Sequence, residues 1–188
     1  FYASKITNYD VFFVQEIRDA DGSSFKSLCS MLTNYDCNVS SRAGRSSSKE
    51  QYGIIYKKGI KLQAMTDYNP DSQDRWERPP VSATFDVNGY DFTAYDIHTK
   101  PDDTPNEIKN LEGLVKDEGN VAVLGDMNAD GSYYNHAKAN DFSSWTWVVK
   151  DGEDTTVASS VNAYDRIIVN SNMNNEVVSH GIDSNNIT

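Results

Sequence analysis

A carboxylate and an amide lie close together at the end of an apolar stretch of this chain. Residues 121–124 (VAVL) are typical of a buried strand, and Gly125 interrupts them before Asp126 and Asn128. If the strand continues through these residues, both polar side chains point to the same side, because side chains along a strand alternate between its faces. Such a pair can hold a hard metal ion or a phosphate oxygen. The alternative is an Asx-rich turn, since Asp, Asn and Gly are common turn residues.

Further ionisable residues lie next to strongly apolar segments, namely Glu16, Glu50, His98 and Asp165. Charged groups so near to a core are costly unless they are paired or bound to a metal. Strand ends that gather at one edge of a sheet form a natural pocket. We therefore predict that these residues meet the carboxylate–amide pair at such an edge.

The segments that must position these residues are mostly strands. Asn88 and Gly89 give a strong hairpin signal, and the strand that follows them leads to His98. Apolar runs or alternation of apolar and polar residues predict strands at residues 11–14, 52–56, 60–65, 81–87, 90–97, 121–124, 145–149 and 167–169.

Two amphipathic helices are also predicted. Phe25, Leu28 and Leu32 follow helical spacing, with Ser23 or Ser24 as the cap. Residues 104–107 (TPNE) read as a capping box with proline at the first helical position. Paired strands with such helices predict an α+β layered fold, and we find no repeat or domain break.

Length and composition limit the class of protein. A chain of 188 residues with 38% hydrophobic and 11% aromatic residues fits one folded domain. No apolar run is long enough to predict a transmembrane helix. The net charge of −11 argues against binding nucleic acid by bulk charge attraction. It is compatible with a phosphodiester bound through local arginines and a divalent cation.

The two cysteines and two glycosylation sequons favour a secreted protein. Cys29 and Cys37 could form a disulfide if both face inward, and two buried thiols are the alternative. Asn38 and Asn186 each begin an Asn-x-Ser/Thr sequon, which is a weak signal in a chain so rich in Asn and Ser. We therefore predict an extracellular location.

Several segments, in this order, resemble motifs of the deoxyribonuclease I branch of the endonuclease/exonuclease/phosphatase superfamily. The resemblance covers nearly the whole chain and implies a single domain over residues 1–188. The implied fold is a four-layer α/β/β/α sandwich of two mostly antiparallel sheets. The implied activity is divalent-cation-dependent endonucleolytic hydrolysis of DNA. The matching segments are residues 14–19 (VQEIRD), 44–50 (GRSSSKE), 96–98 (DIH), 125–130 (GDMNAD) and 163–167 (AYDRI).

The resemblance also implies a metal site. Glu16 matches a carboxylate that ligates Mg²⁺ or Mn²⁺, and a surface glutamate at a strand end is the alternative. Asp126 and Asn128 match a pair that binds metal and phosphate and positions the attacking water.

The same resemblance implies acid–base residues. His98 matches a histidine that acts as acid or base at the scissile phosphate, and Glu50 matches the carboxylate that orients it. The chemistry fits, because imidazole titrates near neutral pH and a carboxylate partner fixes its tautomer. A histidine with a purely structural role is the alternative. Asp165 matches a carboxylate that supports a second catalytic histidine.

Further implied sites lie around this centre. Arg18 and Arg78 resemble arginines that contact nucleic acid, with surface salt bridges as the alternative. Asp154, Thr156 and Ser160 resemble a structural Ca²⁺ site, because oxygen-bearing side chains at alternate positions suit calcium, although Ala158 interrupts the pattern. Asp74 is a candidate for a second Ca²⁺ site.

Two features of the family pattern are not found in this sequence. The family begins with a strand that ends in a metal-proximal asparagine, and it finishes with a strand that carries Asp-His. Ser179 and His180 do not form the latter motif. We therefore expect a fragment or the ordered part of a longer chain, possessing sheet edges through which copies could associate. The alternative functions are a phosphatase or phospholipase of the same superfamily and a non-catalytic extracellular scaffold or assembly subunit.

Overall fold

Strands of the chain form two sheets, and the computed structural model describes residues 2–157 and 159–183. Ala158 and the Asn186 sequon lie outside the described residues. The strands are Val11–Ile17 (β1), Tyr35–Val39 (β2), Gln51–Lys57 (β3), Lys61–Asp67 (β4), Val81–Val87 (β5), Tyr90–Asp96 (β6), Asn120–Asp126 (β7), Thr146–Trp147 (β8) and Asp165–Val169 (β9). The helices are Tyr2–Ile6 (α1), Ser23–Met31 (α2), Thr104–Leu114 (α3) and Ser171–Asn174 (α4).

The smaller sheet has the order β1-β3-β2, and the larger sheet has the order β4-β5-β6-β7-β9-β8. All neighbours are antiparallel except β6 and β7, which run parallel and are connected through α3. The two mostly antiparallel sheets of the sequence prediction are confirmed. Within the described residues, β1 has a strand neighbour on one side only, so one edge of this strand is unpaired.

The two faces of β3 show how the sheets are layered. Tyr52 and Ile54 point into the core between the sheets, where they join Phe85 of β5. Ile55 points to the other face, where it joins Phe25 of α2. This alternation follows from the opposite directions of successive side chains in a strand.

The larger sheet is covered on its outer face by α3. Ile108 and Leu111 of this helix belong to one buried cluster with Val121 and Val123 of β7. The layers are therefore helix, small sheet, large sheet and helix, which confirms the predicted four-layer sandwich. None of the helices in the described residues is both long enough and apolar enough to cross a membrane.

The start of α2 differs from the sequence prediction. Its N-cap residue is Gly22, which makes no side-chain cap, so the predicted serine cap is wrong. The free amides of Ser23 and Ser24 donate instead to the carboxylates of Asp21 and Asp19. Two aspartates in the preceding turn thus satisfy the exposed N–H groups of the helix.

The predicted capping box of α3 is also wrong. Asp103 occupies the N-cap position without a side-chain hydrogen bond. The Glu107 side chain turns inward and accepts hydrogen bonds from the amides of Glu77 at 2.6 Å and Lys100 at 2.9 Å. Burial raises the pKa of Glu107 despite these bonds. This residue therefore fastens α3 to the loop that contains Glu77 and to the segment at Lys100, rather than capping its own helix.

A disulfide joins Cys29 of α2 to Cys37 of β2, which decides between the two alternatives left open by the sequence. We expect its reduction to lower the free energy of unfolding by about 2.5 kcal/mol, because the bond closes a short loop and restricts the unfolded chain. Urea unfolding with and without dithiothreitol measures this difference. A Cys29→Ser/Cys37→Ser variant serves as the control and should not respond to the reductant. Equal urea midpoints for the oxidised and reduced protein would contradict the expectation.

Candidate active site

The ends of several strands meet at one edge of the sandwich. Because β6 and β7 are parallel, His98, which follows β6, lies at the same edge as Asp126 at the end of β7. Asp165 begins β9 directly opposite Asp126 in the antiparallel register. Glu50 precedes β3 and so comes from the other sheet. The edge therefore combines groups from both sheets.

His98 and Glu50 form a buried pair. The Nδ1 atom of His98 lies 3.0 Å from Oε2 of Glu50, and its Nε2 atom lies 3.7 Å from Oδ2 of Asp126. His98 is 7% exposed and Glu50 is 2% exposed. A carboxylate at Nδ1 favours the tautomer that carries its proton there, which leaves Nε2 facing the rim. This arrangement suits proton transfer at Nε2.

Arg78 completes the surroundings of Glu50. Its Nη1 atom lies 3.1 Å from Oε1 of Glu50, as an ion pair without the alignment of a hydrogen bond. Burial acts to raise the pKa of Glu50, but the hydrogen bond and charge of His98 and the charge of Arg78 outweigh burial and lower it. Arg78 is 7% exposed, so the structure buries a side chain that we expected on the nucleic-acid surface.

Asp126 and Asn128 lie close together, but they do not belong to the same strand. The strand ends at Asp126, and Asn128 has a left-handed backbone with φ of 47°. Oδ1 of Asp126 accepts a hydrogen bond from the Asn128 amide at 3.1 Å, which is the Asx turn of the alternative interpretation. The Asn128 Nδ2 atom donates to the carbonyl of Thr99 at 3.1 Å. Asn128 is 6% exposed, and no described residue donates to its Oδ1 atom, which therefore keeps its capacity to bind a donor or a cation.

Gln15 holds the end of β7 from the opposite sheet. Its Oε1 atom accepts a hydrogen bond from the Asp126 amide at 3.0 Å. Its Nε2 atom donates to Oδ1 of Asp96 at 2.6 Å and to the carbonyl of Ile97 at 2.9 Å. Gly125 has φ of 130°, and a Cβ atom there would lie 2.2 Å from the carbonyl oxygen of Ile97 and 2.3 Å from this Nε2, so the backbone and the crossing side chain together require glycine. Sequence reasoning missed Gln15, whose only signal is its place beside Glu16.

Asp165 lies in an electrostatically unfavourable position. Its pKa is raised to about 6, because the surrounding protein excludes water from the carboxylate and because Asp126 carries a negative charge. The residue as a whole is nevertheless exposed. His136 contacts Asp151, and His180 contacts Glu153. A second histidine beside Asp165 is therefore not present in the part of the chain that the structure describes.

Glu16 lies in a β-bulge near the end of β1. The register of β1 and β3 shifts between Val14 and Ile17, and Glu16 has φ of 58°. Its side chain is 52% exposed, and its carboxylate lies 3.4 Å from Nη2 of Arg18. A non-glycine residue in this conformation is strained, and such strain is common at functional sites.

The residues at this edge fit a hard cation that keeps most of its water. Among the described residues, no three His, Cys, Asp or Glu side chains gather to hold a metal by themselves. Mg²⁺ commonly binds through one or two carboxylates and several waters. Asp126, with a side chain 31% exposed, and the amide oxygen of Asn128 offer oxygen ligands of the required kind.

The remaining predicted residues lie on the surface. Oδ1 of Asp154 accepts a hydrogen bond from the amide of Thr156. The hydroxyl of Thr156 lies within hydrogen-bond distance of both this Oδ1 atom and the carbonyl of Ser160, and its single proton can be donated to either. The predicted calcium residues therefore lie together, with their oxygen atoms bonded among themselves. Asp74 lies 3.4 Å from Nη1 of Arg45, which already supplies a positive charge.

The fold and the site together define the class of protein. The profile of the Endonuclease/Exonuclease/phosphatase family matches residues 3–187, and the chain belongs to this family. A family protein from Bacteroides thetaiotaomicron has the same fold, with a TM-score of 0.65 and 13% identity over 90% of this chain and 71% of its own. A mannosyl-6-phosphatase from the same organism gives a TM-score of 0.64 with 16% identity, covering 90% of this chain and 75% of its own.

Curated relatives place the chain in the deoxyribonuclease I branch, which confirms the resemblance seen in the sequence. It is 33% identical to Deoxyribonuclease-1 of Gallus gallus, over 96% of this chain and 73% of that protein. It is 29% identical to Deoxyribonuclease gamma of Homo sapiens, over 96% of this chain and 67% of that protein.

Proposed function

We propose that this protein is a divalent-cation-dependent endonuclease that hydrolyses phosphodiester bonds of DNA. The observation that carries the proposal is the buried His98–Glu50 pair, which presents a ring nitrogen to Asp126 at an oxygen-rich edge. The relatives named deoxyribonucleases support DNA as the substrate. The disulfide supports an extracellular location, because such bonds persist in oxidising compartments.

The residues of the edge take distinct parts in an in-line displacement. Water attacks the phosphorus atom, and the bond from phosphorus to the 3′ oxygen breaks. Protonated His98 donates the Nε2 proton to that leaving oxygen, while Glu50 stabilises the charged ring. We assign the proton of the attacking water to Asp165, which lies directly opposite Asp126 at this edge.

We assign Glu16, Asp126 and Asn128 to the cation and the phosphate. A bound Mg²⁺ or Mn²⁺ would neutralise negative charge on the phosphoryl oxygens. We assign the exposed Arg18, which lies beside Glu16, to contact with the DNA backbone. Asp154, Thr156 and Ser160 remain our candidates for a structural Ca²⁺ site.

Plasmid nicking in the presence of Mg²⁺ tests this function. We expect EDTA to abolish nicking and excess Mg²⁺ to restore it, and we expect Asp126→Asn to reduce kcat about 100-fold. Asp36→Asn is the control, because Asp36 is an exposed aspartate of β2 that pairs with Tyr56, at the end of β3 opposite to Glu50.

Two outcomes would contradict the proposal. One is nicking that persists in EDTA, and the other is full activity of Asp126→Asn. The same assays with RNA, lipid phosphodiesters and sugar phosphates as substrates separate a nuclease from the phosphatase and phospholipase alternatives. A protein without hydrolytic activity on any of them would favour the scaffold alternative.

A further inference from the structure

We infer that Arg78 is a positioning residue that holds His98 and Glu50 in register, and that it does not bind DNA. This inference rests on the proposed function. All three guanidinium nitrogens face the inside of the protein. Nε donates to the carbonyl of His98 at 3.0 Å, Nη2 donates to the carbonyl of Thr99 at 2.9 Å, and Nη1 lies 3.1 Å from Glu50.

The guanidinium group joins parts of the site that come from different sheets. Glu50 belongs to the segment before β3 in the small sheet, whereas His98 and Thr99 follow β6 in the large sheet. The hydrogen bond between Glu50 and the His98 ring requires both sheets to keep their relative position. Arg78 binds the carboxylate of one partner and the main chain of the other, so it fixes the distance between them.

The main chain of Arg78 is anchored as firmly as its side chain. On one side, the Glu77 amide donates to the carboxylate of Glu107 in α3. On the other, the Arg78 carbonyl accepts a hydrogen bond from the Tyr52 hydroxyl, and this same hydroxyl accepts one from the His98 amide. Arg78 and His98 are therefore connected through a second, independent route, which a flexible surface arginine would lack.

The geometry requires arginine and not only a positive charge. Three nitrogen atoms in one plane reach three separate oxygen atoms, and the ammonium group of lysine cannot reproduce this planar fork. Arg18 provides the contrast, because 61% of its side chain is exposed and it forms an ion pair with the exposed Glu16. A DNA contact is expected at Arg18 and a positioning role at Arg78.

Steady-state cleavage of DNA by Arg78→Met and Arg78→Lys distinguishes the two roles. For Arg78→Met we expect kcat to fall about 100-fold, because a small displacement of the His98 ring costs this much. For Arg78→Lys we expect a loss of about 10-fold despite the conserved charge. In both variants KM and its dependence on salt should stay close to the wild-type values.

For Arg18→Met we expect the opposite pattern, a raised KM and a salt slope reduced by about one, with kcat retained.

A combined variant covers the case in which Arg78→Met does not fold, since Glu50 would then be buried without its cation. Glu50→Gln/Arg78→Met removes both charges. The cycle itself uses Glu50→Gln, Arg78→Lys and Glu50→Gln/Arg78→Lys. If Arg78 acts through Glu50, the kcat of this last double variant should exceed the product of the two separate effects. Circular dichroism checks that each variant is folded.

The outcomes separate this inference from the proposed function. Normal kcat with raised KM in Arg78→Lys, or strictly multiplicative effects in Glu50→Gln/Arg78→Lys, would overturn the positioning role while leaving the nuclease proposal intact. A wild-type protein that does not cleave DNA would instead contradict the nuclease proposal itself.

Discussion

Replacing His98 by alanine is expected to lower kcat for DNA cleavage by a factor of about 10² to 10⁴, which is the usual contribution of a general acid or base. The ring is the only described imidazole that faces Asp126, and its Nε2 atom lies 3.7 Å from that carboxylate. Without the ring, no other described group at this edge is placed to protonate the leaving oxygen. Plasmid nicking measured under single-turnover conditions gives the change in the chemical step.

His180→Ala is the matched control. His180 also pairs with a carboxylate, at 2.8 Å from Glu153, but it is 32% exposed and does not contact the edge residues. We expect this variant to keep the wild-type rate. Undiminished nicking by His98→Ala, in a protein with an unchanged circular dichroism spectrum, would remove His98 from the mechanism.

Replacing Asp96 by asparagine is expected to change how stability depends on pH. Asp96 is fully buried, and its Oδ2 atom has no hydrogen-bond partner among the described residues. Burial raises the pKa of Asp96 to about 8, despite the hydrogen bond from Gln15. The folded protein therefore binds this proton more tightly than the unfolded chain does, in which the pKa has its ordinary value near 4. The stabilisation is complete below about pH 4 and is lost progressively as the pH rises to about 8.

The asparagine variant has no proton to lose at this position. Its free energy of unfolding should therefore rise relative to that of the wild type by about 1 kcal/mol per pH unit between pH 5 and pH 8. Asparagine keeps an oxygen that can accept the hydrogen bond from Gln15 and resembles the protonated acid in shape. Urea unfolding at several pH values measures the difference, with Asp36→Asn as the exposed control. Parallel curves for Asp96→Asn and the wild type would show that Asp96 does not titrate in this window.

The fold could be predicted largely because its signals are local. Apolar runs predicted β3 and β7, and the Asn88–Gly89 turn predicted the hairpin of β5 and β6. The order of motifs along the chain then gave the sandwich. The grouping of His98, Glu50 and Asp126 was also predictable, because each follows or precedes a buried strand.

The contacts of long polar side chains could not be predicted in the same way. Glu107 has the right spacing for a capping box, but its carboxylate accepts hydrogen bonds inside the protein from the amide of Glu77 in a distant loop and from that of Lys100 just before α3. Arg78 lies in an irregular segment whose path depends on Trp76, and the indole of that residue donates to the carbonyl of Glu107. Such orientations depend on tertiary contacts and leave no periodic signal in the sequence.

The role of Gln15 could not be predicted from the sequence either. An amide between an apolar run and a candidate metal ligand looks like an ordinary polar residue at a strand end. Its role depends on the distance between two sheets, because the side chain crosses from β1 to the ends of β6 and β7. Only the packed structure shows why residue 125 has no side chain.

The division of the acid–base pair between two sheets has a mechanical consequence. Glu50 moves with the three-stranded sheet and His98 with the six-stranded sheet, so a slip of one layer over the other separates them before either sheet loses its own hydrogen bonds. For the nuclease proposed above, we therefore expect the cleavage rate to report the alignment of the two layers. It should fall under mild denaturing conditions at which the circular dichroism spectrum is still unchanged.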